Sequence, residues 1–405
     1  YETRFTPSQE EVPNFGGTYS TYWVRLRLRN ENPAAERWLL ESSFASLHFV
    51  DLFSPLADGD GFAVKQTGAM RPLSSRDIDH PNIVFDLTIP SQSEQTYYLR
   101  IQTGDSMTLP FTLWEPETFF TNSLRDQAIH GIFLGIMVSM LIYNLFLLVS
   151  LRDESYLYLV LLLAGMTIYD LSHSSFLEVY IAPDLYQVKQ HTIVFSIGFV
   201  FIPLILFNES FLSVKTLFPR MHWVNVALLV IWVILTLSTF FVTYNDLVMV
   251  IPPTAVVTMV VNGAIVLMAW RRGLQTARFL VLAWAILIVG LLGFVLARMG
   301  LMPSNAVTEN GYRVGFSWMA ICWSLALADR INLLKAETES ASRELQESEH
   351  RLSQTLDAMP AGVVVYGRDN KPTFTNRRTA EILSNPDQGI QPNISAGRTL
   401  DEAVD

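Results

Sequence analysis

The sequence predicts a multidomain membrane protein. Its parts are an all-β, jelly-roll-like extracytoplasmic domain, a bundle of seven transmembrane α-helices, a cytoplasmic coiled-coil helix and the start of a small α+β domain. Three observations carry this. Seven apolar runs, each near the ~20 residues that cross a bilayer as a helix, follow one another between Ala128 and Leu334. Ahead of them, short stretches alternate apolar and polar residues with period two between Gly, Pro and Asp turns. After them, Ala328–Leu356 holds neither Gly nor Pro and is rich in helix formers. The expected domains are residues 1–117, 118–334, 335–356 and 357–405.

The first domain reads as strands. In Tyr19–Arg29, Tyr22, Val24, Leu26 and Leu28 share one face, and Trp23, Arg25, Arg27 and Arg29 share the other. Further strands are expected at Trp38–Glu41, Leu47–Phe53, Ile83–Ile89, Thr96–Gln102 and Met107–Trp114. Asn32-Pro33, Asp58–Gly61 and Gly68–Pro72 supply turns. Many short strands with such breaks imply an antiparallel sandwich of the jelly-roll kind. Asp58–Gly61 has the composition of a calcium loop but lacks the later bidentate Glu, so it is read as a surface turn.

The seven spans are expected at Ala128–Val149, Tyr156–Phe176, His191–Phe211, Trp223–Val242, Leu247–Trp270, Ala277–Met299 and Gly315–Leu334. A bilayer core has no water for unpaired backbone groups, so such runs must be helical. With the N-terminus outside, the inner loops and exit carry Arg152, Lys215, Arg220, Arg271, Arg272, Arg278, Arg330 and Lys335. The outer loops carry only Lys189, Arg298 and Arg313. That asymmetry places the N-terminus outside and the C-terminus in the cytoplasm.

Composition removes several function classes. The formal charge is −10 and no basic patch with interleaved aromatics stands out in the sequence, which argues against nucleic acid as a partner. The one cysteine, Cys322, lies in the last span, which excludes a disulfide framework and a Cys-based metal site. There is no Gly-rich phosphate loop, phospho-acceptor helix, ATP-lid or cyclase motif, so no catalytic residue, cofactor or metal is assigned. His350 is followed by Arg351-Leu352-Ser353, which supply no acidic partner, and it is not read as a phospho-acceptor.

A resemblance is carried by Gly17 to Arg25, Trp38-Leu39-Leu40-Glu41, Val50-Asp51-Leu52-Phe53, Tyr98 to Ile101 and Leu109-Pro110. It continues through Gly135, Tyr143-Asn144-Leu145 and Leu151 to Tyr158. In order and spacing these strings resemble bacterial seven-transmembrane receptors with diverse intracellular signalling modules, over roughly Gly16–Leu334. The resemblance implies a jelly-roll-like outer domain that binds carbohydrate-type ligands and a multi-pass protein of the bacterial inner membrane. Sugar recognition wants an aromatic plate beside polar groups. Trp23, Arg25, Tyr98, Arg100 and Trp114 lie on the less apolar strand faces and form the candidate ligand cluster. The alternative is that Trp23 and Trp114 cap a core while the arginines are solvated or paired.

Polar residues inside spans are costly and each asks for a partner or a purpose. Asp170 and His173 stand at i, i+3 near the outer end of the second span. They either line an outer-facing pocket, or titrate with external pH, or sit wet among headgroups, and the last is the plainer expectation. Asn144 and Asn262 are expected to be interhelical hydrogen-bond glue. Thr121 or Asn122 is expected to cap the first span's helix. Pro203 and Pro252-Pro253 would kink their spans, which suits a two-state bundle. No inverted repeat, midplane charge relay or Schiff-base lysine in the last span favours a transporter or a light-driven pigment.

Beyond the bundle, Ile331, Leu345, Leu352 and Met359 fall at multiples of seven, with Thr338 in the vacant slot and Leu356 at a companion position. This short heptad predicts a helix paired with its copy in a homodimer. Leu356–Leu383 resembles the opening of a PAS sensor domain. Gly362–Tyr366 and Pro372–Thr375 are its strands, Asp369-Asn370 the turn between them, and Asn376 the cap of the helix that follows. Asn385–Asp405 reads as loop. A removed signal segment is expected ahead of Tyr1, and an output domain after Asp405. The functional expectation is a sensor that relays an extracytoplasmic small-molecule or glycan ligand to a histidine kinase and its response regulator. Alternatives are control of a cyclic-dinucleotide cyclase or phosphodiesterase, a carbohydrate-binding transporter accessory, and an interaction scaffold.

Overall fold

The computed structural model describes residues 5–383 except 19, 35, 57–60, 105, 243, 299–301, 303–305 and 368–370. The Asp58–Gly61 turn (in all but its last residue), the Asp369-Asn370 turn (in both residues) and the loop expected at Asn385–Asp405 lie outside the described residues. The chain forms two compact units, Tyr1–Ala328 and Asp329–Asp405.

The first unit opens with nine strands: β1 (Asn14–Gly17), β2 (Tyr22–Asn30), β3 (Arg37–Ser42), β4 (Phe49–Pro55), β5 (Phe62–Thr67), β6 (Ile83–Thr88), β7 (Ser93–Gln102), β8 (Ser106–Thr108) and β9 (Phe111–Trp114). A four-stranded sheet runs β2-β7-β4-β5 and a three-stranded sheet β6-β3-β9, all pairs antiparallel, with β1-β8 as a short ribbon. The inward faces meet in one core. Val50, Leu52, Leu99 and Ile101 of the larger sheet pack with Leu40, Ile83, Phe85 and Leu87 of the smaller. Tyr22, Val24, Leu26 and Leu28 are the inward set of β2, as their alternation predicts.

Two strand expectations change. The expected run Met107–Trp114 is two strands, broken at Leu109-Pro110, since proline has no N–H to give a ladder. β5 was not expected. Its apolar residues Phe62 and Val64 face outward at 47 % and 48 % exposure, so its pattern does not mark a core.

Among the described residues seven helices are long and apolar enough to cross a membrane. They are α1 (Pro116–Leu151), α2 (Glu154–His173), α3 (Lys189–Phe211), α5 (Pro219–Ser238), α6 (Tyr244–Arg271), α7 (Ala277–Arg298) and α8 (Ala306–Asp357), with α4 (Val214–Leu217) a single turn. Phe146, Val149, Val256 and Val289 are well exposed on them, an apolar exterior that suits lipid. The helix entering the bundle starts at Pro116 behind Glu115, before the expected cap at Thr121 or Asn122. Proline at the first helical position has no orphan N–H and a preset φ, so it starts the helix earlier. Arg152 ends α1 in the left-handed region, and Asp153 then caps α2 by accepting from Ser155 N at 2.7 Å. The second span ends at His173, and Leu177–Ile181 continue as a wide π turn. Gly290 of α7 and Gly311 of α8 let two helix backbones touch. A Cβ on Gly290 would stand 2.2 Å from Gly311 O.

In the second unit β10 (Val364–Tyr366) pairs antiparallel with β11 (Pro372–Thr375), followed by α9 (Arg377–Leu383). Asn376 is fully buried at the start of α9. Its Oδ1 accepts from Thr379 N at 3.0 Å and Val363 N at 2.9 Å, and its Nδ2 donates to Leu356 O and Ala361 O. The expected cap thus also ties the hairpin to the end of α8.

Candidate functional site

The structure brings four of the five candidate ligand residues together. β2 pairs with β7 so that Trp23 stands opposite Arg100 and Arg25 opposite Tyr98. Phe53 and Asp51 continue these two rows on β4. The result is an open aromatic and basic face on the larger sheet. Trp23 is 49 % exposed and meets the Phe53 ring at 5.2 Å. Tyr98 contacts Phe62 and Phe5, and the Arg25 guanidinium lies 5.0 Å from the Phe5 ring centre.

Trp114 does not belong to this face. It is on β9 of the other sheet, opposite Leu39, and its Nε1 donates to Glu41 Oε2 at 2.8 Å. Alternation places a residue on one side of its strand but does not say which sheet the strand joins. Asn82 donates to the other Glu41 oxygen at 2.7 Å. Burial pushes the Glu41 carboxyl above its ordinary range, and these two hydrogen bonds pull against that.

Trp114 and Glu41 line a chamber of about 570 Å³ between the sandwich and the end of the bundle that faces it. α1 supplies Asn122, Arg125, Asp126 and His130 to its wall, α2 supplies His173, and α8 supplies Tyr312 and Arg313. Below lies Asp170, fully buried. One oxygen is 2.9 Å from His130 Nε2. The other accepts from Tyr312 Oη at 2.8 Å and Arg313 Nε at 2.9 Å. The expectation of a wet Asp170 is therefore corrected: three helices, α1, α2 and α8, converge on its carboxylate. His173, one turn on, stacks on Tyr169 and reaches the chamber. Sequence reading missed His130, Tyr312 and Arg313. Arg313 carried a signal, one of only three basic outer-loop residues and set beside an apolar run, but its partner is 143 residues away.

Two histidines dock the sandwich to the bundle. His80 Nδ1 accepts from Asn82 N, so Nε2 carries the proton and donates to Ser123 Oγ of α1 at 2.8 Å. His48 Nδ1 accepts from Gly104 N, and its Nε2 lies 2.8 Å from the Gln190 amide of α3. Burial lowers both imidazoles to about 4, helped at His80 by Arg76 and at His48 by Lys189. Both docking contacts are made by the neutral ring.

The two span asparagines of the candidate set, Asn144 and Asn262, have partners. Asn144 Oδ1 accepts from Ser324 Oγ, joining α1 to α8. Asn262 accepts from Asn208 at 2.9 Å and lies 3.4 Å from Asn225, joining α6 to α3 and α5. Asn225 and His222 in turn meet Glu209 at 2.8 Å each. Among the described residues no group of three His, Cys, Asp or Glu is placed to hold a metal.

The comparisons agree with this architecture. Residues 126–330 match the family model described as 7TM diverse intracellular signalling, and residues 1–115 match the 7TMR-DISM extracellular 2 model. No curated protein and no solved structure matches the chain. The first model alone spans half of the sequence, and the second covers the sandwich that docks on it. The chain belongs to the seven-transmembrane receptors with diverse intracellular signalling modules, and it is a transmembrane sensor with an extracellular and a seven-helix domain.

Proposed function

We propose that this chain is the input part of a bacterial two-component receptor. A small-molecule or glycan ligand binds outside, on the face of Trp23, Arg25, Tyr98 and Arg100. The sandwich then shifts on the chamber, and the change passes through the bundle of the inner membrane to a histidine kinase beyond Asp405. The observation that supports this most is the single helix α8. It carries Tyr312 and Arg313, which hold Asp170, and runs without a break to Asp357. Anything that alters the Asp170 cluster acts on the start of the element that leaves the bundle. Leu345 and Leu352 are 63 % and 61 % exposed on that helix in the single chain, a stripe that suits pairing in a homodimer. Residues 357–383, a hairpin and a capped helix, fit the opening of a PAS domain. Ligand control then requires different affinities for the two states of the bundle.

The test is made in sealed vesicles. The reading expects protease to reach the sandwich and Asp405 from opposite sides, and ligand to drive no solute flux. Both ends on one side would contradict it, and ligand-dependent flux would favour an uptake accessory instead.

A further inference from the structure

Asp51 is 2 % exposed, although it points to the outward face of the larger sheet. Its Oδ1 accepts from Arg71 Nη1 at 2.6 Å and its Oδ2 from Arg100 Nη1 at 3.1 Å. One carboxylate cannot neutralise two guanidiniums, so the trio carries a net positive charge. Each guanidinium has five N–H donors in a rigid fork. Arg100 commits one nitrogen to Asp51, and Arg71 commits one to Asp51 and Thr67 O, which leaves donors on both forks.

These groups open into a pocket of about 190 Å³, walled by Phe49 and Gln102. The pocket is built rather than incidental. Arg71 lies 5.4 Å from the Phe49 ring centre. The turn that delivers Arg71 needs glycine at Gly68, where φ is +145° and a Cβ would stand 2.1 Å from His48 O. The pocket has room for an oxyanion beside the two forks. Beside it, in register with Arg100, stands the half-exposed Trp23 ring. The wider face is basic on an acidic chain. It presents Arg25, Arg27, Arg29, Arg71 and Arg100 against Glu31, Asp51 and Glu94, a surplus of two positive charges where the whole sequence is at −10.

We propose that the outer-domain ligand is an acidic ring compound whose carboxylate or sulfate ester is bound by Arg71 and Arg100 while its ring lies on Trp23. This rests on the reading of that face as the ligand site. Asp51 holds the two forks in place before the ligand arrives, so little ordering is needed on binding. The ligand's oxyanion becomes the second acceptor that two guanidiniums around one carboxylate call for.

The experiment titrates the full chain, in lipid nanodiscs, with galacturonic acid trimer and with its neutral counterpart, galactose trimer. The acidic trimer is expected to bind at least tenfold more tightly at low salt, with the advantage shrinking as salt rises. Arg71→Gln and Arg100→Gln are each expected to remove that preference, with a retained cooperative unfolding transition showing that the sandwich is folded. Trp23→Ala is expected to weaken both trimers. Equal binding of the two trimers, or a preference that survives both arginine variants, overturns the inference and leaves the glycan site standing. Binding that Trp23→Ala does not weaken, or no binding of either trimer, overturns the site reading and the inference with it.

Discussion

Asp51 and Asp170 are both buried carboxylates with two cationic or potentially cationic partners, and they do opposite things. Asp51 holds Arg71 and Arg100, whose side chains are 21 % and 44 % exposed. Asp170 holds Arg313 and His130, at 17 % and 4 %. In the sandwich the cations keep contact with water and remain available to a ligand. In the bundle they are spent on joining α1, α2 and α8. The difference follows from where the partners come from. Arg71 and Arg100 belong to one sheet surface, whereas His130 and Arg313 come from helices that close over the acid.

The largest effect that tests this contrast is Asp170→Ala. It leaves Arg313 without its carboxylate in a low-dielectric site, so a loss of about 3–5 kcal/mol is expected. The measurement is thermal unfolding in detergent. A loss below about 1 kcal/mol would show that the cluster holds nothing together.

A second effect lies at the joint between the two regions. His48 and His80 are held at about 4, below the ordinary value of 6.5. Between those values the unfolded chain binds more protons, so the stabilisation is present above about pH 6.5 and is lost as pH falls toward 4. Going from pH 7 to pH 5 is expected to cost roughly 2 kcal/mol for each histidine, about 4 kcal/mol for the pair. His80→Gln keeps a donor for Ser123 and is expected to flatten part of that slope. An unchanged slope in His80→Gln together with His48→Gln would contradict the docking role.

The smallest effect is Asp51→Asn, at about 1 kcal/mol, because its arginines can turn to solvent when the charge is removed. If Asp51→Asn cost as much as Asp170→Ala, the contrast between the two acids would be lost.

Sequence legibility follows the same divide. Seven apolar runs are local signals, and all seven are helices long enough to span. The inward set of β2 and the Asn376 cap are local too, and both stand where period two and capping chemistry place them. What sequence did not reveal is non-local. Nothing in Ala128–Val149 or in the residues just ahead of Gly315 says that His130 and Arg313 meet at Asp170. Trp114 alternates correctly along its strand, yet it joins the chamber because β9 pairs with β3. β5 was hidden because Lys65 points off the outer face to Asp77 and the Asp86 carbonyl while Phe62 and Val64 point out, the reverse of a core strand.

The central claim is that the state of the Asp170 cluster is read along α8. It is tested by a cysteine at Leu352 in a Cys322→Ala background, cross-linked in sealed vesicles with the native Asp170 and with the milder Asp170→Asn. The account predicts that cross-linking between copies changes at least severalfold with the variant while the fold is retained. The same rate in both, in protein that is folded and membrane-inserted, would contradict it.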